Sequence, residues 1–285
     1  MKFNTFYKIY YSHRIKKSSL ILKIYIFAIL PFVYLVNKFL LKSKMDLDKF
    51  LNLNNDFFHK DLNFLFNFFN SDKGEKFENQ YQKPSKINKI KIDGHYYHKF
   101  YEKYFFKKKN DKMNILELGS FKGNAAAALY FYFKNSYIKS GDIFPDIFRY
   151  KSERIENFLI DNSSEQELNE KILNRKDKFD IIIEDAGHYL KDQIISLFIL
   201  FESLNSKGVF VIEELEFPDE RKDMNPDNEK PTLRDILISI KEKKDFISKY
   251  VTKSQKEYFI KNFESINIYI LIFIWSLSHG IFTMY

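Results

Sequence analysis

Carboxylates fall at the points where five apolar runs of this chain end: Glu117, Asp142, Asp161, the pair Glu184-Asp185 and the pair Glu213-Glu214. His188 follows Asp185 by three residues in the segment Asp180–Tyr189, DIIIEDAGHY. Histidine titrates near neutrality and is the usual general base. The chain has no cysteine, so clustered carboxylates suit a hard divalent cation such as Mg²⁺, and Asp185, Glu213 and Glu214 could form its site. Such a set has a clear use if the substrate is an alcohol. A hydroxyl is a weak nucleophile at neutral pH, and a cation that stabilises the alkoxide plus a base that takes its proton would make it attack. Taken singly, each acid reads more readily as a loop carboxylate or a helix cap than as a functional group. Five strand ends in register on one edge of a parallel sheet would bring the acids to one cleft.

The elements that must position these groups are organised around Asn114–Leu129, NILELGSFKGNAAAAL. Ile115, Leu116 and Leu118 make a short apolar run suited to a central parallel strand. Gly119 and Gly123 bracket a turn that allows close backbone approach to a ligand, and an alanine-rich, helix-favouring run follows. The spacing Glu117-x-Gly119-x-x-x-Gly123 is neither G-x-G-x-x-G nor a phosphate loop, which disfavours NAD(P) or nucleotide-sugar binding there. Asp142, 25 residues past Glu117, is placed to accept both hydroxyls of a ribose, hence an adenosine-containing cofactor.

From Asn114 onward the pattern alternates strand and helix, the mark of a parallel α/β sheet. Strands are predicted at 114–118, 137–143, 157–160, 179–184, 208–213 and 265–274, and helices at 124–133, 164–173, 190–204 and 233–243. Ser164 with Glu167 three residues on reads as a helix start. Residues 216–230 read as a charged loop and 75–93 as a polar, lysine-rich loop. Asp46–Asn70 and Gly94–Phe106 read as helices.

The chain has 285 residues and a net charge of +8. Residues 1–44 hold nine Lys or Arg and no acid, leaving 37 basic against 38 acidic residues elsewhere. A nucleic-acid-binding domain would carry its excess on the folded module, so no nucleic-acid partner is expected. The basic excess sits on the N-terminal appendage and points to a membrane surface. Leu20–Val36 is a 17-residue apolar stretch broken by Lys23 and Pro31, at the lower limit of the roughly 20 residues a spanning helix needs. It lacks a small-residue cleavage site, so a cleaved signal peptide is not expected. A helix lying in or anchored to a membrane leaflet is expected, the alternative being a helix packed on its own domain. That this is the cytoplasmic leaflet is what the family resemblance given below implies. The division expected is a membrane-associating segment (1–45), a helical cap (46–110), a catalytic domain (111–275) and a tail (276–285).

Together these residues resemble class I S-adenosylmethionine-dependent methyltransferases, in the branch of metal-dependent sugar O-methyltransferases and the cephalosporin hydroxylase-like proteins allied to them. The resemblance covers roughly residues 71–270. It rests on Ser71-Asp72-Lys73-Gly74, on His95, Tyr97 and Tyr101, on Glu117–Gly123, on Ile160-Asp161-Asn162-Ser163, on Glu184-Asp185-Ala186-Gly187-His188 and on Glu213-Glu214. It implies a Rossmann-like methyltransferase fold, a central mostly parallel sheet with helices on both faces and an N-terminal helical extension. It further implies S-adenosylmethionine held by Glu117, Gly119, Ser120, Gly123, Asp142, Asp161 and Asn162, a divalent metal such as Mg²⁺ at Asp185, Glu213 and Glu214, and His188 with Asp185 as catalytic residues. The implied reaction is O-methylation of a small-molecule or glycan acceptor. A hydroxylase-like enzyme or a non-catalytic cofactor binder on the same fold are the alternatives. Phe121 stands where Gly is common in the family, Asn162 where Gln is usual, and Glu214 where Asp is usual. The final segment WSLSHGIFTMY departs from the family's charged last strand and is expected to be aberrant.

Overall fold

The computed structural model describes residues 1–16, 18–41, 43–271 and 279–284. Seven strands form the main sheet: β1 (Asn114–Leu118), β2 (Tyr137–Asp142), β3 (Ile155–Leu159), β4 (Phe179–Glu184), β5 (Leu204–Glu213), β6 (Ile266–Leu271) and β7 (His279–Met284). Their order is β6-β7-β5-β4-β1-β2-β3. The five strands from β5 to β3 are parallel, and β7 inserts antiparallel between β5 and β6. This is the α/β methyltransferase arrangement expected from the alternating pattern. The strand order reverses beside β1, so the edge at the carboxyl ends of β1, β2 and β4 is the natural ligand crevice.

The central strands β1, β4 and β5 are buried on both faces, and their residues alternate accordingly. Ile115, Ile181, Ile183, Val209 and Val211 pack with the Asn124–Tyr132 helix and with the helices of residues 47–105. Leu116, Leu118, Ile182, Phe210 and Ile212 pack against the Leu190–Leu200, Leu233–Lys241 and Lys253–Asn262 helices. Every residue of Asn124–Tyr132 is buried, because sheet and cap enclose it from two sides. Its alanines let the backbones approach, while Phe131 stacks on Phe69 at 5.4 Å between ring centroids.

Several boundaries differ from expectation for local reasons. Residues 46–70 do not form one helix. They form Leu47–Leu53, a 3₁₀ turn at Asn55–His59 and Leu62–Phe68. Asp46 and Asp61 accept from Lys49 N–H (3.0 Å) and Phe64 N–H (2.7 Å), restarting a helix each time. The polar 75–93 stretch contains an antiparallel ladder, Lys76–Glu78 with Lys91–Asp93. The 216–230 stretch holds a short helix, Phe217–Glu220. The Lys253–Asn262 helix, started by a Thr252–Gln255 capping box, was not foreseen because its period is weak. β5 begins at Leu204, so the preceding helix ends at Leu200. The tail supplies β7, although residues 272–278 and 285 lie outside the described residues.

The N-terminal extension is helical, with Phe3–Tyr10, Ser12–Lys16 and Leu20–Leu40. Phe6, Tyr10, Tyr11, Ile15 and Leu30 form its own small core.

Candidate active site

The carboxyl edge of the sheet opens into a cleft of about 1170 Å³, lined by the turns after β1, β2, β3 and β4 and by the Ser71–Lys73 segment. Of the residues singled out from the sequence, Glu117, Gly119, Ser120, Asp142, Asp161, Asn162, Asp185, His188 and Glu214 line it. Gly123 and Glu213 are not among the lining residues. Phe121, His188 and Glu214 all have positive φ (45°, 56° and 54°). Non-glycine residues held in this region store strain and cluster at functional sites.

The glycine turn owes its shape to packing. Gly119 has φ +84°, and a Cβ there would come within 1.9 Å of the Asp185 carbonyl oxygen. Gly123 has φ +79°, and a Cβ there would lie 2.4 Å from the Phe148 ring. The turn is pinned to the end of β2 by the N–H groups of Gly119 and Ser120, which donate to the Gly141 carbonyl at 2.9 and 3.2 Å. The Asp142 carboxylate accepts from Phe121 N–H and Phe144 N–H, each at 2.7 Å. Burial pushes Asp142 up, opposed by these two backbone bonds. Each of its oxygens keeps a second acceptor position.

The other acids on this side are also held locally. Glu117 is buried and pushed up to about 7 by that burial, while the Ser140 hydroxyl donates to it at 3.2 Å. Asp161 caps its own turn by accepting from the Ser163 N–H (2.9 Å) and hydroxyl (2.6 Å). Asn162 donates to Glu184 at 3.1 Å, and burial pushes Glu184 up to about 8. The Ser120 hydroxyl is buried and has no hydrogen-bond partner among the described residues. An enclosed hydroxyl at the turn, with Asp142 lining the same cleft, fits a polar cofactor in this half of the cleft.

The β4–β5 side differs from expectation. Asp185, Glu213 and Glu214 do not share a cation site. The Lys73 ammonium lies between two of them, donating to Asp185 Oδ2 and, at 2.7 Å, to Glu213 Oε2. Burial works against the Lys73 charge, but Asp185 and Glu213 outweigh it and hold the ammonium well above its ordinary range. Tyr101 donates its hydroxyl to the other oxygen of Glu213. Glu214 is turned to the Tyr97 hydroxyl (3.0 Å) and His95 Nδ1 (3.1 Å). Among the described residues no three His, Cys, Asp or Glu groups gather as a metal cage. The residues present therefore do not fit the expected divalent cation, because a side-chain cation already neutralises two of its ligands. Lys73, His95, Tyr97 and Tyr101 were visible in the sequence as motif matches. Nothing in their spacing assigned them to the β5 carboxylates, which lie more than a hundred residues away.

His188 lines the cleft. Its Nε2 is 3.6 Å from Asp185 Oδ1, its ring meets Phe217 edge-on at 5.5 Å, and its Nδ1 is enclosed without a partner among the described residues. His95 is a cation instead: burial opposes its charge, but the bond to Glu214 and nearby acids push it up to about 9. It is not a free base at neutral pH.

No protein-family model matches the chain, and no curated protein matches it. Solved structures do. The fold is that of methyltransferases. The structures matched include the MycE methyltransferase from the mycinamycin biosynthetic pathway in complex with Mg, SAH and mycinamycin VI, with a TM-score of 0.57 and 19% identity over 79% of this chain. The same enzyme in complex with Mg and SAH matches in two crystal forms, with TM-scores of 0.56 and 0.57 at 19% identity over 79% and 78% of this chain. The chain spans about half the length of these structures, 53% to 55% of each.

Proposed function

We propose that the chain is an S-adenosylmethionine-dependent O-methyltransferase acting on a hydroxyl of a sugar, glycolipid or related small molecule. The observation that carries the reading is one cleft with two unlike walls: the glycine turn with Asp142 and the unpartnered Ser120 hydroxyl on one, the His188–Asp185 pair on the other. The likeness to MycE, a methyltransferase solved with SAH and a mycinamycin, supports the same cofactor class.

When bound, S-adenosylmethionine supplies an electrophilic methyl on a sulfonium. The remaining work belongs to the chain. Ser120 and Asp142 would hold the cofactor's polar groups at the turn. His188 Nε2 would take the acceptor's hydroxyl proton as the carbon–oxygen bond forms and the carbon–sulfur bond breaks. The imidazolium so formed would sit beside Asp185, whose charge favours it. Lys73 donates to Asp185 Oδ2, leaving Oδ1 as the oxygen nearest His188 Nε2. The reading assigns no step to a metal, since Lys73 stands between Asp185 and Glu213 and Glu214 is bonded to His95 and Tyr97.

Calorimetric titration of the full chain with S-adenosylmethionine tests the reading. Binding that is weakened in Asp142→Ala and kept in His188→Ala is the expected result. No binding by the parent chain would remove the reading. Binding with no methyl transfer to any glycan acceptor in a broad panel would favour a non-catalytic cofactor binder.

A further inference from the structure

We propose that residues 1–41 are a docking platform for an anionic lipid bilayer, with the long helix lying in the plane of the membrane beside the cleft mouth. The reading of the cleft's chemistry is not needed for this. Leu20–Leu40 is long and apolar enough to cross a bilayer, about 31 Å at 1.5 Å per residue. It is also bare: Ile21, Phe32 and Phe39 are 82%, 73% and 87% exposed. A core helix of a soluble domain buries its apolar stripe; this one buries Leu30 and Asn37 and leaves most of the rest outside.

The contacts of this helix decide between lying and crossing. The Phe3–Tyr10 helix packs along it, with Phe3 and Phe6 against Tyr34 (5.3 and 5.7 Å) and Tyr7 against Phe27 (5.7 Å). The same short helix is bonded to the cleft-bearing domain, where the Thr5 hydroxyl donates to Asp146 at 2.9 Å. Near the other end, Asn37 accepts from Ser85 N–H at 2.9 Å, and Lys83 donates to the Tyr11 hydroxyl. The stretch from Phe27 to Asn37 is thus tied to a polar domain at two points, through the short helix at one end and directly by Asn37 at the other. Crossing would carry Asp146, Lys83 and Ser85 into hydrocarbon, where polar groups without water are costly, or tear these bonds. A helix in the interface keeps them and buries only its bare face.

Charge favours an anionic surface as the occupant. Residues 1–44 carry nine basic and no acidic side chains, and basic residues beside an apolar face select anionic headgroups. The platform also reaches the cleft: Ile9 and Phe144 both line it, and Lys8 lies over the Phe144 ring at 5.6 Å. A bilayer seated on the bare face would therefore lie next to the cleft mouth.

The absence of cysteine makes the test direct. The full chain is mixed with vesicles of phosphatidylcholine alone or with phosphatidylglycerol and sedimented. Binding is expected only with phosphatidylglycerol, weakened by salt, and reduced at least tenfold by the triple change Ile21→Asp, Phe32→Asp, Phe39→Asp. Ile21→Cys and Phe39→Cys, each carrying a fluorophore, then report orientation. An in-plane helix gives both labels the same quenching by a headgroup-level nitroxide, from the outer leaflet only. Labels found on opposite sides of the bilayer would overturn the in-plane placement. No vesicle binding, with the parent chain dimeric and the triple variant monomeric by light scattering, would overturn the membrane and assign the face to a second copy of the chain. Retained helical circular dichroism in the triple variant excludes simple unfolding.

Discussion

The two walls of the cleft hold their acids in opposite ways. On the β1–β3 side the partners are local: Asp142 takes backbone N–H groups at Phe121 and Phe144, Asp161 caps its own turn, and Glu117 meets Ser140 on the neighbouring strand. On the β4–β5 side the partners come from the cap region, with Lys73 on Asp185 and Glu213, Tyr101 on Glu213, and His95 and Tyr97 on Glu214. One wall is a property of strand ends and turns. The other exists only when residues 71–101 are docked on the sheet. The first should tolerate damage to the cap, while the second should couple the cap's folding to the chemistry.

The strongest way to break this contrast is Lys73→Ala, which leaves the buried Glu213 and the cleft-lining Asp185 without their cation. Removing one partner of a buried pair costs about 3–5 kcal/mol, so the urea midpoint should fall sharply while the order of the turn around Gly119 survives in the remaining folded protein. A loss below about 1 kcal/mol, on the scale of an exposed ion pair, would show that the two carboxylates do not depend on Lys73. The same variant frees two carboxylates, and Mn²⁺ should then bind measurably by electron paramagnetic resonance where the parent shows none.

Next in size is His188→Ala. If His188 is the base, methyl transfer should fall by about 10²–10⁴-fold with cofactor affinity unchanged, read by paired turnover assays and calorimetry. Equal loss of both would move His188 from chemistry to structure.

Asp142→Asn sharpens the local wall. It keeps an acceptor for one turn N–H but sets an amide donor against the other, so cofactor affinity should drop by about tenfold, or 1.4 kcal/mol. Stability should change by about 1–3 kcal/mol, as for a buried donor left unsatisfied. Affinity unaffected by this change would remove Asp142 from the cofactor site.

The smallest effect is a pH dependence from His95. Its folded value of about 9 lies above the ordinary 6.5, so protonation stabilises the fold. That contribution is fully present below about pH 6.5 and is lost as pH rises to about 9. The stability gap between the parent chain and His95→Gln should therefore be widest near pH 6 and close by pH 9 in urea melts. A gap that widens with pH would mean that His95 is neutral in the fold.

How much was readable in advance follows the same division. β1 and β4 were legible to the residue, because uninterrupted apolar runs bounded by glycine or acid have one reading in a doubly covered sheet. The broken 46–70 helix was not, since Asp46, Asn54 and Asp61 compete for backbone groups in ways that period alone does not show. The packing of Gly123 against Phe148, where a Cβ would have no room, is likewise something no spacing rule reveals.

The sequence by itself determined the strand–turn–helix around Gly119, the row of acids at the strand ends and the basic, apolar N-terminus. Period, backbone freedom and charge are properties of neighbouring residues. Only the tertiary structure decided that Lys73 sits between Asp185 and Glu213, and that the N-terminal helices are tied to the domain that bears the cleft. Both join segments far apart in the chain, and a buried charge finds its partner through packing rather than through sequence distance.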